Sequence, residues 1–427
     1  MLENFSRRKL IIIGLVILAV GILSWIFYLA MKPTTGDVNL PIGNNDVSDG
    51  RLPNNTGGRD NINNTPINFP PDGDQNLPGD EGGVNQPIDE LNLEPSLIAI
   101  GGETSAPALT PSVAQAPNLS SGGVRYYNPN DCKFYEITNG GSHKTLTNNS
   151  YCGVSNITWS PQGNQTILEF PDGANVIYDF VNKKQVTLPR EMTEFSWSPD
   201  SSKIAGKFLD DNPADRWLVT IGSDGGGLTG IEPMGENADK VDVEWAPNNQ
   251  VMALSRTGEP SGLFQQQVLL IGFNGENFKG LYINGRGFEP RWSPDGTRLL
   301  YSSFSDKTDY KPQLYLVDAS VDRVGAHEQV INLKTWVDKC TLVTGFAYCA
   351  VPNELPDGVG FSRELAAQIP DTLWRIDLAT GGTTILARPV NESGREITAL
   401  NLQVSADSKF LYFTEGSSGR LRSVQLK

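Results

Sequence analysis

Over the C-terminal three quarters of the chain, apolar residues come in short runs broken by polar ones, the pattern of strands that bury one face. Examples are Ile157 and Trp159 ahead of one turn, Ile167 and Phe170 behind it, and Leu299 and Tyr301 behind another. Hairpin-like runs are predicted at 124–127 with 134–137, and at 217–221, 268–271, 314–317 and 373–376, as third strands of successive units. Turns such as Asp224-Gly225 and Thr380-Gly381-Gly382 commonly follow them. Only 362–368 reads as helical, with Ser362 as N-cap and Glu364 in the first turn.

A five-residue motif punctuates these runs. It stands as Trp159-Ser160-Pro161-Gln162-Gly163, Trp197-Ser198-Pro199-Asp200-Ser201, Trp245-Ala246-Pro247-Asn248-Asn249 and Trp292-Ser293-Pro294-Asp295-Gly296, with a Trp-less copy at Val404-Ser405-Ala406-Asp407-Ser408. Ser-Pro-Asp-Gly suits a type I turn: Pro presets φ, Asp bonds back to the backbone and Gly accepts the positive φ that follows. The turn joins two strands, and a spacing of roughly 40 to 60 residues leaves room for two more, the length of a propeller blade.

On these motifs, residues 96–427 resemble the WD40-like propeller family with W-S-P-D-G repeats, as in TolB-like proteins and the N-terminal propellers of prolyl-oligopeptidase-type peptidases. Trp159, Trp197, Trp245 and Trp292 are then structural repeat positions. The resemblance implies an all-β β-propeller, with seven blades the first choice and six the alternative. Inner strands are expected near Ile157, Phe195, Val243, Pro290 and Leu402, a sixth at 341–343 and a seventh at 97–100. An N-terminal strand is expected to complete the last blade, removing an exposed edge.

The N-terminal quarter changes the picture. Residues 1–9 form an expected cytoplasmic tail, and 10–31 are free of charge and long enough to cross a bilayer as a helix. Arg7, Arg8 and Lys9 precede that stretch and only Lys32 follows it, so the positive-inside rule places the N-terminus in the cytoplasm and the propeller outside. A cleaved signal peptide is the alternative, although Leu29-Ala30-Met31-Lys32 offers a poor cleavage site. Residues 32–95 are rich in Asn, Pro, Gly and Asp, without sustained periodicity, and read as a disordered stalk. The predicted topology is a single-pass membrane protein.

Net charge is −15, with roughly −9 in the stalk and roughly −9 in the globular part. No basic patch is present, which argues against nucleic acid as a partner. Four cysteines in an exported domain suggest two disulfides. Cys340 and Cys349 lie symmetrically about Thr344-Gly345, so a two-residue turn sets them opposite each other. Cys132 and Cys152 fall in two loop types that emerge on one propeller face, and are paired with each other.

Catalytic signals are sparse. His143 and His327 lack metal-ligand spacing, no C-x-x-C pair and no G-x-S-x-G elbow occur, and no cofactor is expected. Acid pairs such as Asp210-Asp211 and Asp306 with Asp309 stand in loops. The loops between second and third strands, 209–216, 256–266, 304–312 and above all 350–372, share a face where binding residues are expected. Phe361, Arg363 and Leu365 in the longest are candidate partner anchors. The alternative is that this segment packs over its own blade. The expected function is a non-catalytic binding or scaffold module for a protein or envelope polymer. The alternative is a polysaccharide lyase or glycoside hydrolase using channel carboxylates.

Overall fold

A computed structural model describes residues 94–427, apart from 260, 261 and 263. The tail, the membrane segment and the stalk up to residue 93 lie outside the described residues. Among the described residues no helix is long and apolar enough to cross a membrane.

The strands form seven sheets, antiparallel apart from one added parallel strand, that make the blades of a β-propeller. Blades 1 to 5 each use four consecutive strands, spanning 115–145, 156–188, 192–233, 241–284 and 286–331. Blade 6 spans 340–390 and gains Glu103–Ser105 as a fifth strand, parallel to Thr383–Val390. Blade 7 takes three strands from 399–425, and Ala108–Val113 pairs antiparallel with Arg420–Gln425 as its fourth. The N-terminal strand therefore completes the last blade, as expected from the need to cover an edge.

The seventh inner strand is not at 97–100. Leu97 and Ile100 are exposed at the propeller's outer side, and Ile98 bridges Gln425. The inner strand is Gln115–Ser120, which pairs with Gly123–Asn128. Its Pro117, Asn118 and Ser120 give it a weak strand signal, whereas the apolar spacing of 97–100 imitates one. The other expected inner strands are in place: Asn156–Trp159, Met192–Trp197, Val241–Val243, Arg286–Trp292, Cys340–Val343 and Ala399–Val404. The helical expectation also needs correction. Residues Arg363–Ala366 form a short 3-10 segment, and Ser362 gives no side-chain cap.

The motif tryptophans sit between blades. Trp159 Nε1–H donates to the Ala116 carbonyl (2.9 Å), Trp197 to Thr158 (3.0 Å) and Trp292 to Glu244 (3.3 Å), each on the preceding blade's inner strand or its end. Trp245 instead donates to Asn249 Oδ1 (2.7 Å), while its backbone N–H donates to Ser196 Oγ (3.0 Å). Three of the four indoles thus bury apolar area and satisfy their N–H across a blade junction, and Trp245 satisfies its own within its turn. In the turns, Ser198 Oγ donates to Asp200 (2.6 Å) and Lys203 N–H returns to Ser198 Oγ (2.9 Å). Asp407 repeats the pattern with Ser405, which explains how a copy without Trp or Pro keeps its turn.

Both disulfides are formed. Cys340 and Cys349 are register partners across a hairpin, with Cα atoms 4.0 Å apart. Cys132 is joined to Cys152 with Cα atoms 4.8 Å apart. Such bridges indicate an oxidising, extracytoplasmic environment.

Candidate functional site at the channel mouth

In a four-stranded up-and-down blade, the loops between strands 2 and 3 emerge on the same face as the links between blades. Here that face carries the longest segment, 353–370, between Phe346–Pro352 and Asp371–Asp377. Strand pairing takes residues 350–352 and 371–372 out of the loop expected at 350–372.

The segment is anchored. Leu355, Val359 and Ala366 are buried against Trp336, with Ile369 beside them. Gly358 and Gly360 N–H donate to the carbonyls of Asp309 and Tyr310 (both 2.8 Å), joining the loop to its counterpart on blade 5. A Cβ on Gly360 would lie 2.4 Å from Phe304 Cγ, so only glycine permits that approach. The packing alternative therefore describes most of the segment, while some of its side chains remain turned outward.

The three candidate anchors divide accordingly. Phe361 is 59% exposed, with its ring edge-on to Phe304 (4.8 Å) and near Tyr310 (5.2 Å). Leu365 is also 59% exposed. Arg363 is engaged internally: its guanidinium lies 4.9 Å from the Trp336 ring centroid, Nη2 donates to both oxygens of Asp338, and Nη1 is 3.7 Å from Glu289. Leu209 and Trp217, flanking the corresponding loop of blade 3, add exposed apolar area to the same face.

Inside this rim, the start of the axial channel carries charges on successive blades. Lys207 Nζ meets Glu194 at 2.6 Å, and Arg256 Nε meets Asp242 at 3.0 Å. Arg363 holds Asp338, and buried Lys339 lies 2.7 Å from both oxygens of Asp371. Burial raises Asp242 despite Arg256, and raises Glu169 despite its hydrogen bond from Asn156.

Two carboxyls move further. Burial pushes Glu244 up to about 7, against the pull of Arg291 and with Asp242 adding to the rise. Glu289 also reaches about 7 through burial and the neighbouring Asp338, opposed by Arg363. One oxygen of Glu289 is buried without a hydrogen-bond partner, which fits a carboxyl that is protonated for part of the time near neutrality. A carboxyl in that state can give or take a proton near neutral pH. Among the described residues, no group of three His, Cys, Asp or Glu is placed to hold a metal.

Sequence reasoning missed these channel residues, although their signal was present. The position three before each motif Trp is Asn156, Glu194, Asp242 or Glu289, and the equivalent in the Trp-less copy is Asn401. A polar residue kept at a fixed place on an inner strand points to a shared channel.

No family model and no curated protein matches the chain. Solved structures do. An oligogalacturonate lyase in complex with manganese is 15% identical, with a TM-score of 0.53 over 75% of this chain and 92% of that one. An oligogalacturonate lyase from Vibrio parahaemolyticus is 12% identical, with a TM-score of 0.51 over 75% and 93%. At these identities the likeness shows the shared propeller fold and leaves the activity to be argued from the site.

Proposed function

We propose that the chain is a membrane-anchored, extracytoplasmic propeller of the WD40-like, TolB-like kind that acts as a non-catalytic binding module. Its partner, a protein or an envelope polymer, engages the face of the 2–3 loops. The observation that carries this reading is the set of exposed apolar side chains on the 2–3 loop face, Leu209 and Trp217 at blade 3 and Phe361 and Leu365 at blade 6, together with the ion pairs of the channel mouth. Apolar and aromatic anchors within a charged surround suit an interface. The fixed charges serve register more than affinity. The experiment is capture of envelope material by the full-length protein and by a Phe361→Ala/Leu365→Ala variant. The reading predicts a folded variant whose melting temperature falls only slightly, through the lost contacts of Phe361 with Phe304 and Tyr310, with capture reduced at least about tenfold, and undiminished capture would count against it.

A second reading has one specific observation in its favour, two carboxyls on adjacent blades that burial pushes up to about 7. In that reading Glu244 and Glu289 act as general acid and base on a polysaccharide. Loss of depolymerising activity in both Glu244→Gln and Glu289→Gln, with polymer binding retained, would support it. Absence of turnover across neutral and acidic glycans would leave the binding module.

A further inference from the structure

The channel wall across from the ion pairs has a different chemistry. Gln115 of blade 1, Asn156 of blade 2, and Asn401 and Gln403 of blade 7 line a cavity of about 370 Å³, with Arg291 and Asp338 on its far side. Gln115, Asn401 and Gln403 make no side-chain hydrogen bond to protein among the described residues, and Asn156 gives only one amide donor, to Glu169 (2.6 Å). A primary amide offers two donors and a two-lone-pair acceptor. Four amides at one small cavity, three without a protein partner, therefore present a dense set of unused donors and acceptors.

The backbone arranges this wall. The inner strands of blades 1 and 7 slip register between Gln115 and Asn118 and between Leu400 and Gln403. At the slips, Ala116 (φ 46°) and Asn401 (φ 53°) are in the left-handed region. Bulges redirect side chains, and non-glycine residues persist in this region only where their surroundings hold them. Here Trp159 Nε1 holds the Ala116 carbonyl. Trp159 and Ile157 complete the lining with apolar surface.

We propose that this cavity binds a short, neutral, hydroxyl-rich sugar. Hydroxyl groups donate and accept, as the amides do, and a sugar's C–H face matches Ile157 and Trp159. The volume is within the range of small-ligand pockets. Arg291 and Asp338 both line the cavity, so its two charges offset and give no net pull on a charged sugar. The inference deepens the binding-module reading by naming a ligand class, and stands on residues other than the rim anchors.

The test uses full-length protein with cellobiose and N,N′-diacetylchitobiose as probes, read by saturation-transfer NMR and calorimetry. At least one should bind. Gln115→Ala/Gln403→Ala should weaken that binding by about tenfold or more while leaving the melting temperature unchanged, since these amides hold nothing in the fold. Phe361→Ala/Leu365→Ala should leave sugar binding intact, so that failure of the rim reading and failure of this one are told apart. The proposal is overturned if neither sugar binds, if binding survives loss of both amides, or if tetra-alanine displaces the sugars and proves the tighter ligand.

Discussion

Replacing Lys339 with Met would leave Asp371 as a buried carboxylate with one remaining donor. Lys339 and Asp371 are almost wholly buried, and both oxygens of Asp371 lie 2.7 Å from Nζ. Asp371 Oδ2 also accepts from Ala399 N–H (2.7 Å), so the pair ties the link into blade 6 to the inner strand of blade 7. Removing one partner of a buried ion pair costs about 3–5 kcal/mol, because the other charge is left without compensation. For a domain of this size that is a fall in melting temperature of about 4–7 °C. Burial already raises Asp371 against the pull of Lys339, and losing the lysine must raise it further. A group with a raised folded pKa contributes its stability below the unfolded value and loses it as pH rises. The gap between parent and variant should therefore widen from acid toward neutral pH. Lys339→Met/Asp371→Asn removes the charge and keeps an acceptor for Ala399, so it should recover at least about half the loss. Urea unfolding of parent, single and double variants at several pH values provides the assay. A single variant within about 1 kcal/mol of the parent, or a double variant no better than the single, would refute the reasoning.

Three further outcomes follow from the same structure. Because Glu244 and Glu289 have raised folded pKa values, the parent should lose stability as pH rises from about 4.5 to about 7, and Glu289→Gln should flatten that slope in a series of thermal melts. Opening the Cys340–Cys349 bridge, which closes a sequence separation of 9, by Cys340→Ala/Cys349→Ala should cost about 2–3 kcal/mol in chemical denaturation, and an unreduced digest of the parent should contain the linked peptides. Replacing 353–370 with a short Gly-Ser turn should lower the melting temperature clearly, since it removes Leu355, Val359 and Ala366 from Trp336; an unchanged melt would mean that this small core adds nothing.

The blades were legible where the sequence repeats a turn with its own chemistry. Trp and Pro mark blades 2 to 5 because the indole fills a blade junction and Pro presets the turn, and in blades 3 and 5 a Ser-Asp pair closes it. Blades 1 and 6 lack the motif, since Leu119-Ser120-Ser121-Gly122 and Val343-Thr344-Gly345 close their first hairpins by other means. Without the motif, the sequence points to 97–100 for the inner strand that Gln115–Ser120 in fact supplies. The Cys340–Cys349 bridge could be read because a hairpin is local, whereas the channel mouth joins positions far apart in the chain. Glu289, Asp338 and Arg363 meet only after blades 5 and 6 are placed side by side. Arg363 could be picked out as an arginine in a long loop, but nothing in the sequence showed that Asp338 and Trp336 already hold it.

Site-specific photo-crosslinking on intact cells tests the central claim most directly. A photoreactive residue is placed at Phe361 or Leu365 on the 2–3 loop face, or at Val181 or Leu228, exposed beside 3–4 connections on the opposite face. The account predicts a shared crosslinked partner from Phe361 and Leu365 and none from Val181 or Leu228. Crosslinks from the opposite face alone, or from no position, would contradict it.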